Sequence, residues 1–273
     1  MFYVTTAIDY PNGKPHIGHA YEKILADVLT RYQRLKGAES YFLTGVDQHG
    51  QKMVKTAEAE GVNVATLTKR NTKRFIRLWE KLGVKYDGWA ETTDERHKSC
   101  VQAILGKLEK EGALYKKSYA GFYSVRQEQF LTDRDRNDHG DFGEEWGEVI
   151  EIEEENWYFK LSDHAEWLRS TVANDDLKII PKFRKNEVLN AIERAGDTDL
   201  CISRPKERMS WGIPLPFDPD FVTYVWFDAL INYISFAGYQ KTEDSELPTF
   251  DSLWPADLQI IGKDILVPAH AVY

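Results

Sequence analysis

Apolar and polar positions change their period along this chain, and each change marks an element. Phe2 to Ile8 is an apolar run of strand length, closed by the turn-forming Tyr10-Pro11-Asn12-Gly13-Lys14-Pro15. Beyond it, Ile17, Tyr21, Ile24, Leu25, Val28, Leu29, Tyr32 and Leu35 recur at helical spacing, and Gly37 supplies a stop. Tyr41-Phe42-Leu43-Thr44-Gly45-Val46 predicts a second buried strand. Strand, helix, strand implies a parallel sheet with a right-handed crossover, hence an α/β architecture of the Rossmann type.

Two further helical stripes follow. Val64, Leu67, Asn71, Phe75, Leu78 and Leu82 end at Gly83, and Val101, Ile104, Leu105 and Leu108 end at Gly112. Both are core stripes without evident chemistry. From about Tyr115 the texture shifts to short alternating strands at 121–125, 148–152 and 156–161, separated by a charged loop. This predicts an inserted, mostly antiparallel module, completed by two helices near 163–173 and 183–195. The acidic run 151–155 is most simply a solvated strand edge that discourages aggregation, with a metal or cationic partner as the alternative. Parallel-sheet texture is expected to return near Val222, with Leu258-Gln259-Ile260-Ile261 as another core strand. The chain thus divides into residues 1–114, a first α/β part; 115–214, the inserted module; and 215–273, a second α/β part.

The 273 residues suffice for one large domain or two smaller ones. A net charge of −9 argues against a surface that grips nucleic acid throughout. Local basic faces exist at Lys69-Arg70-Asn71-Thr72-Lys73-Arg74 and Lys182-Phe183-Arg184-Lys185, although solvated sides of helices explain both more simply. No apolar run approaches the ~20 residues that span a bilayer. Met1-Phe2-Tyr3-Val4 enters a strand directly, without a basic leader pattern, and Cys100 and Cys201 suit a reducing compartment, so a cytoplasmic location is expected.

The candidate chemistry gathers after the two strands. His16-Ile17-Gly18-His19 opens the first helix, where unpaired N–H groups and the positive helix end favour an anion. Gly18 lets a ligand approach the backbone. Asp47-Gln48-His49-Gly50 lies just past the second strand, and ligands of open α/β sheets bind at that edge. His16/His19 and Asp47/His49 are therefore expected to face one crevice. A bare His-x-Gly-His is common on surfaces; the strand, turn and helix around it give it weight.

That arrangement resembles the HIGH element of class I aminoacyl-tRNA synthetases. Further segments match in order: Val46-Asp47-Gln48-His49-Gly50, Cys201-Ile202-Ser203-Arg204-Pro205 with Trp211-Gly212-Ile213-Pro214-Leu215-Pro216, Tyr224-Val225-Trp226-Phe227-Asp228-Ala229, and Ile261-Gly262-Lys263-Asp264-Ile265. Together they resemble methionyl-tRNA synthetases over essentially the whole chain. The resemblance implies a HUP-like class I core with a connective insertion, and ATP-dependent activation of methionine followed by transfer to tRNA(Met), with ATP and Mg2+ as substrate. It implies catalytic roles for His16, His19 and Arg204, the last without a defined task. Gly18, Glu22, Gly262 and Asp264 join the two histidines around ATP, Asp264 accepting from the ribose hydroxyls. Asp47 is expected to pair with the substrate ammonium. Ile8, Tyr10, Trp226, Leu230, Tyr233 and His270 line the methionine pocket, where the sulfur meets aromatic rings or accepts weakly from a hydroxyl or imidazole. Trp226, Leu230 and Tyr233 also fit plain helical packing, and His270 a plain helix histidine. Monomeric association and no membrane partner are expected.

Two departures stand out. Many members of that family carry zinc-binding Cys-x-x-Cys pairs where this chain has Ser124-Val125-Arg126-Gln127, so no structural zinc is expected and no metal ligand is assigned. Leu230 stands where members often have Pro. The resemblance also places a second phosphate loop, KMSKS, and an anticodon-reading helical domain beyond Tyr273. The 273 residues alone are therefore expected to bind methionine, form adenylate poorly and select little tRNA. The competing readings are a small nucleotidyltransferase, a Val, Ile or Leu synthetase, and a non-catalytic protein that binds methionine or tRNA.

Overall fold

The computed structural model describes residues 1–273 apart from 127–128, 138, 197 and 241–247. Its strands are β1 (Phe2–Thr6), β2 (Ser40–Val46), β3 (Gly88–Glu91), β4 (Leu114–Ser124), β5 (Gln129–Leu131), β6 (Val149–Phe159), β7 (Leu200–Cys201), β8 (Ser203–Pro205), β9 (Pro214–Leu215), β10 (Asp218–Thr223) and β11 (Leu258–Ile260). The helices used below are α1 (Ile17–Leu35), α2 (Gln51–Ala59), α3 (Val64–Leu82), α4 (Glu95–Lys110), α5 (Ala165–Ala173), α6 (Arg184–Ala195), α7 (Val225–Leu230) and α8 (Asn232–Ser235). No helix among the described residues is long and apolar enough to cross a membrane.

A four-stranded sheet in the order β11-β1-β2-β3 carries the architecture, and every pair in it is parallel. Alternation along the strands feeds two cores. Val4 and Phe42 pack with Phe75 and Trp79 of α3 on one face. Tyr3 and Leu43 pack with Ala90, Phe236 and Leu253 on the other. Chain order runs away from β1 in both directions, to β2 on one side and to β11 on the other. The crevice outside the carboxyl ends of β1 and β11 is therefore a topological switch point, the usual ligand position in such sheets.

The inserted module is a second sheet, β5-β4-β6-β7, antiparallel throughout. Where the pattern predicted two strands at 148–152 and 156–161, one continuous β6 runs through the acidic segment, because every residue from Leu114 to Ser124 finds a partner on it. Glu151 to Glu155 have β4 on one side, while β7 pairs only with Tyr158 and Phe159. Helices α5 and α6 follow as predicted. The strand at Val222 departs from expectation. β10 pairs antiparallel with β8 and β9 in a third sheet, Val222 lying opposite Arg204. A short apolar run specifies a buried strand but not its partner, and the parallel sheet resumes only at Leu258.

α1 also departs from a simple reading of its stripe. The side chains it buries are Lys23, Ala26, Asp27 and Thr30, the face turned to the sheet and α3. Ile17, Tyr21, Ile24, Val28, Tyr32 and Leu35 are exposed.

Candidate functional site

The turn after β1 is fixed from beneath. The Lys23 ammonium, fully buried, donates to the Ala7 carbonyl (2.9 Å), Asp9 Oδ1 (2.5 Å) and Glu22 Oε2 (3.0 Å). Glu22 Oε1 accepts from the Ala7 N–H (3.0 Å). Burial works against the Lys23 charge, but the two carboxylates outweigh it and hold the ammonium above its usual range. Burial raises both Asp9 and Glu22 above the ordinary carboxylate range, against the pull of the Lys23 ammonium they share. Asp9 Oδ2 has no hydrogen-bond partner among the described residues. Glu22, expected at ATP, thus has both oxygens committed to holding this corner.

Above it, the two imidazoles cap α1. His16 is the N-cap residue, and its Nδ1 accepts from the Gly18 N–H (3.1 Å). His19 Nδ1 accepts from the His16 N–H (3.2 Å). The pattern is a capping box built from two histidines in place of Ser and Glu. Their rings stack with centroids 3.7 Å apart, and His19 meets the Phe75 ring edge-on at 5.3 Å. With both Nδ1 atoms accepting, the N–H of each ring is on Nε2, for which no partner is found among the described residues. Burial, reinforced by His16 and Lys23, lowers the pKa of His19 to about 4, so this ring is neutral at neutral pH. A Cβ on Gly18 would lie 3.0 Å from His16 Cε1, so a side chain there would require the His16 ring to give by a few tenths of an ångström.

The neighbouring strands deliver the other groups to the same edge. Asp47 is buried after β2; its N–H donates to the Asp9 carbonyl (2.9 Å), and its Oδ1 accepts from the His49 N–H (3.3 Å). Gly262 and Asp264 follow β11, and the Asp264 carboxylate is exposed, 3.7 Å from Lys263. The Ile260 carbonyl accepts from the Ala7 N–H, so this segment abuts the end of β1.

Of the expected pocket residues, Trp226, Tyr233 and His270 come together. His270 Nδ1 donates to the Ile265 carbonyl (2.8 Å), which leaves Nε2 to accept from the Tyr233 hydroxyl (2.8 Å). The Trp226 ring meets His270 edge-on at 6.1 Å. The Tyr3 hydroxyl donates to the Tyr233 carbonyl (3.0 Å), tying the group to β1. Burial lowers the His270 pKa and raises that of Tyr233. Both polar hydrogens are therefore spent within the protein, and a thioether here would meet ring faces and edges in place of the donors expected from sequence. Ile8 packs with Tyr3, Leu43 and Phe236. Tyr10 packs with Met53, Leu67 and Trp211 in a separate cluster, and Leu230 is half-buried on α7.

Arg204 lies in β8, buried, with its guanidinium 4.3 Å from the Tyr224 ring centroid and 5.7 Å from that of Tyr123. It shares a small cavity with Gln51 and Tyr224, the N-cap of α7. Sequence reading missed the group that joins these parts. Asp228, in α7 and fully buried, accepts from His49 Nδ1 (2.6 Å) and from His97 Nε2 of α4 (2.8 Å); His97 Nδ1 then accepts from Ser235 Oγ (2.8 Å). Burial opposes the Asp228 charge, but the two imidazoles overcome it and bring its pKa down to about 2. Nothing in the spacing of residues 49, 97 and 228 signals this triad. Among the described residues no cluster of three or more His, Cys, Asp or Glu could hold a metal. Ser124, at the first of the Cys-x-x-Cys positions, donates to the Trp146 carbonyl (2.5 Å), and Gln127 lies outside the described residues.

The comparisons with known proteins agree on one group. The profile of the family described as tRNA synthetases class I (M) matches residues 2–138 and 146–273. The methionine–tRNA ligase of Brucella suis biovar 1 (strain 1330) is 44% identical over 275 residues, covering all of this chain and 52% of that protein. The methionine–tRNA ligase of Listeria monocytogenes serovar 1/2a is 38% identical over 281 residues, covering all of this chain and 41% of that protein. A crystal structure of Mycobacterium tuberculosis methionyl-tRNA synthetase bound by methionyl-adenylate superposes with a TM-score of 0.90 at 41% identity, covering all of this chain and 53% of the other. The chain spans about half the length of the curated relatives it matches.

The His19 environment predicts a pH signature in stability. An imidazole in the unfolded chain takes up its proton near its usual 6.5, and His19 in the folded chain only near 4. The contribution is complete above pH 6.5 and is lost as pH falls through this window. His19→Asn keeps an acceptor near the Nδ1 position and removes the titration. Urea unfolding from pH 7 to pH 4 should show a shallower loss for His19→Asn than for the unaltered chain; equal slopes would contradict the assignment.

Proposed function

The chain belongs to the tRNA synthetase class I (M) family, and on that premise we propose that it is the catalytic portion of a methionine–tRNA ligase. It activates methionine with ATP to methionyl-adenylate and passes the methionyl group to tRNA(Met). Residues 1–114 and 215–273 form the nucleotide-binding domain, and 115–214 the connective insertion. The observation that carries this reading is the pair of stacked imidazoles that cap the N-terminus of α1, beside the switch-point crevice.

A methionine carboxylate oxygen attacks the α-phosphorus of ATP; the new P–O bond forms as the bond to the β-phosphate oxygen breaks and pyrophosphate leaves. A hydroxyl of the terminal tRNA ribose then attacks the acyl carbon, and AMP leaves. The attacking carboxylate is already ionised, so the first step needs positioning and electrostatic stabilisation more than proton transfer. Nε2–H groups of His16 and His19 donate to the phosphates, with Mg2+ accompanying ATP. Gly18 keeps the backbone accessible, and Glu22 acts by holding the corner under the histidines. Gly262 opens the turn that carries Asp264 towards the ribose hydroxyls. Asp47 takes the substrate ammonium in a charge-assisted contact.

Ile8, Tyr10, Trp226, Leu230, Tyr233 and His270 hold the methionine side chain, each sulfur–ring contact contributing ~0.3–1.5 kcal/mol. Arg204 is a positioning residue that steadies Tyr224 at the start of α7. The module carries no structural zinc, the expected translation role places it in the cytoplasm, and the association state is monomeric.

In calorimetry, methionine should bind and valine, isoleucine and leucine should not. Any pyrophosphate–ATP exchange the chain supports should require methionine. Asp47→Ala should weaken methionine binding at least about tenfold, since a charged hydrogen bond contributes ~1.5–3 kcal/mol. Unchanged affinity would put the amino-acid site elsewhere. Elemental analysis of purified protein should find zinc well below one atom per chain, and stoichiometric zinc would overturn that part of the reading.

A further inference from the structure

His97 lies in the first turn of α4, fully buried, and spends both ring nitrogens on the two short helices that carry the aromatic group. Its Nε2 donates to Asp228 Oδ1 (2.8 Å), two residues beyond Trp226 in α7. Its Nδ1 accepts from Ser235 Oγ (2.8 Å), two residues beyond Tyr233 in α8. The ring also stacks on that of Phe236, with centroids 5.9 Å apart. Both helices are therefore tied to α4 at one position.

The segment leading into α4 governs the other end of the crevice. Thr92 lies two residues before Asp94, the N-cap of α4. Its Oγ1 accepts from the Gln48 N–H (2.8 Å) and donates to Asp47 Oδ1 (3.5 Å). Asp228 Oδ2 reaches the same loop by accepting from His49 Nδ1 (2.6 Å), and the His49 N–H donates to Asp47 Oδ1 (3.3 Å). Two routes, one through Thr92 and one through Asp228, thus join the Asp47 carboxylate to the rings of Trp226 and Tyr233. All the polar residues on these routes are buried. A satisfied buried network of this kind specifies one arrangement, where apolar contacts alone tolerate repacking.

We propose that His97 and Asp228 are specificity-determining positioning residues. They hold the Asp47 carboxylate and the rings of Trp226 and Tyr233 at one separation, so that the crevice measures an amino acid between its ammonium and its sulfur. The inference rests on the amino-acid site proposed above and adds what sets its selectivity for side-chain length.

The test is calorimetry on the 273-residue chain with two probes. They are L-methionine and S-methyl-L-cysteine, whose sulfur stands one methylene nearer the ammonium. A shaped pocket discriminates one methylene roughly 10–200-fold, and the unaltered chain should prefer methionine within that range. His97→Leu keeps the bulk but neither donates nor accepts, and should shrink the preference at least about fivefold within that range. His97→Gln places an amide N–H near the Nε2 position and should hold the preference within about twofold. Asp228→Asn keeps its shape but offers only one oxygen to the two imidazole donors. It should relax the preference as His97→Leu does, and it carries the test where the leucine variant fails to fold. A network that serves stability alone would weaken both ligands by one factor. An unchanged ratio, or loss of both affinities together, therefore overturns the inference. So does a glutamine variant that relaxes like the leucine one, or an unaltered chain that binds both probes alike. An unaltered chain that binds neither probe overturns the site reading itself and this inference with it, so the two failures are told apart.

Discussion

One buried ammonium, that of Lys23, sits where β1 hands the chain to α1, and the candidate site is arranged above it. Taking an ion of this size out of water costs several kcal/mol, and the cost is offset only where acceptors surround the charge. Lys23 has three, one of them the Ala7 carbonyl of the backbone that continues β1. Its position therefore fixes the path of Ala7 to Asp9. That path in turn carries Ile8 into one core and sets the Asp9 carbonyl that receives the Asp47 N–H. The bare Asp9 Oδ2 shows how finely this balance is held: two carboxyls are served by a single cation, and one oxygen goes without a partner among the described residues.

The second constraint joins elements far apart in sequence. Asp228 receives hydrogen bonds from the loop after β2 and from α4, and α4 is linked onward to Ser235 of α8. α7 and α8 carry Trp226 and Tyr233, so the aromatic group is tied to the Asp47 loop through one ionised carboxylate. Trp211 adds a third tie. Its indole N–H donates to the Gln48 carbonyl (2.6 Å), and its ring lies edge-on to His49. Asp228, His49, His97 and Trp211 are thus each held by partners of their own, which is a condition for electrostatic preorganisation.

The period of the apolar pattern made β1, α1, β2, α3 and the strand at Leu258 legible, because each has a long repeat or a short run bounded by turn residues. The helix N-terminus at His16 was equally visible, since Pro15 and Gly18 frame it. Other features had no local signal. An isolated lysine in a helix reads as solvated, so nothing announced Lys23 as buried, and the apolar stripe of α1 gave the helix correctly while hiding which face turns inward. The acidic run obscured the continuity of β6, whose length is set by pairing with β4. The triad of His49, His97 and Asp228 depends on three segments meeting in space. The hydrogen committed by Tyr233 to His270 depends on the Ile265 carbonyl fixing the imidazole tautomer. These are long-range facts, and a linear pattern does not contain them.

Replacing Lys23 by methionine tests the central claim most directly. The account predicts that Lys23→Met loses ~3–5 kcal/mol of unfolding free energy, the range for leaving a buried partner charge uncompensated. It further predicts that Asp9→Asn introduced alongside recovers a large part of that loss in the same urea titration. A single variant as stable as the unaltered chain, or a second substitution that deepens the loss, would contradict the claim that this ammonium holds the β1–α1 corner together.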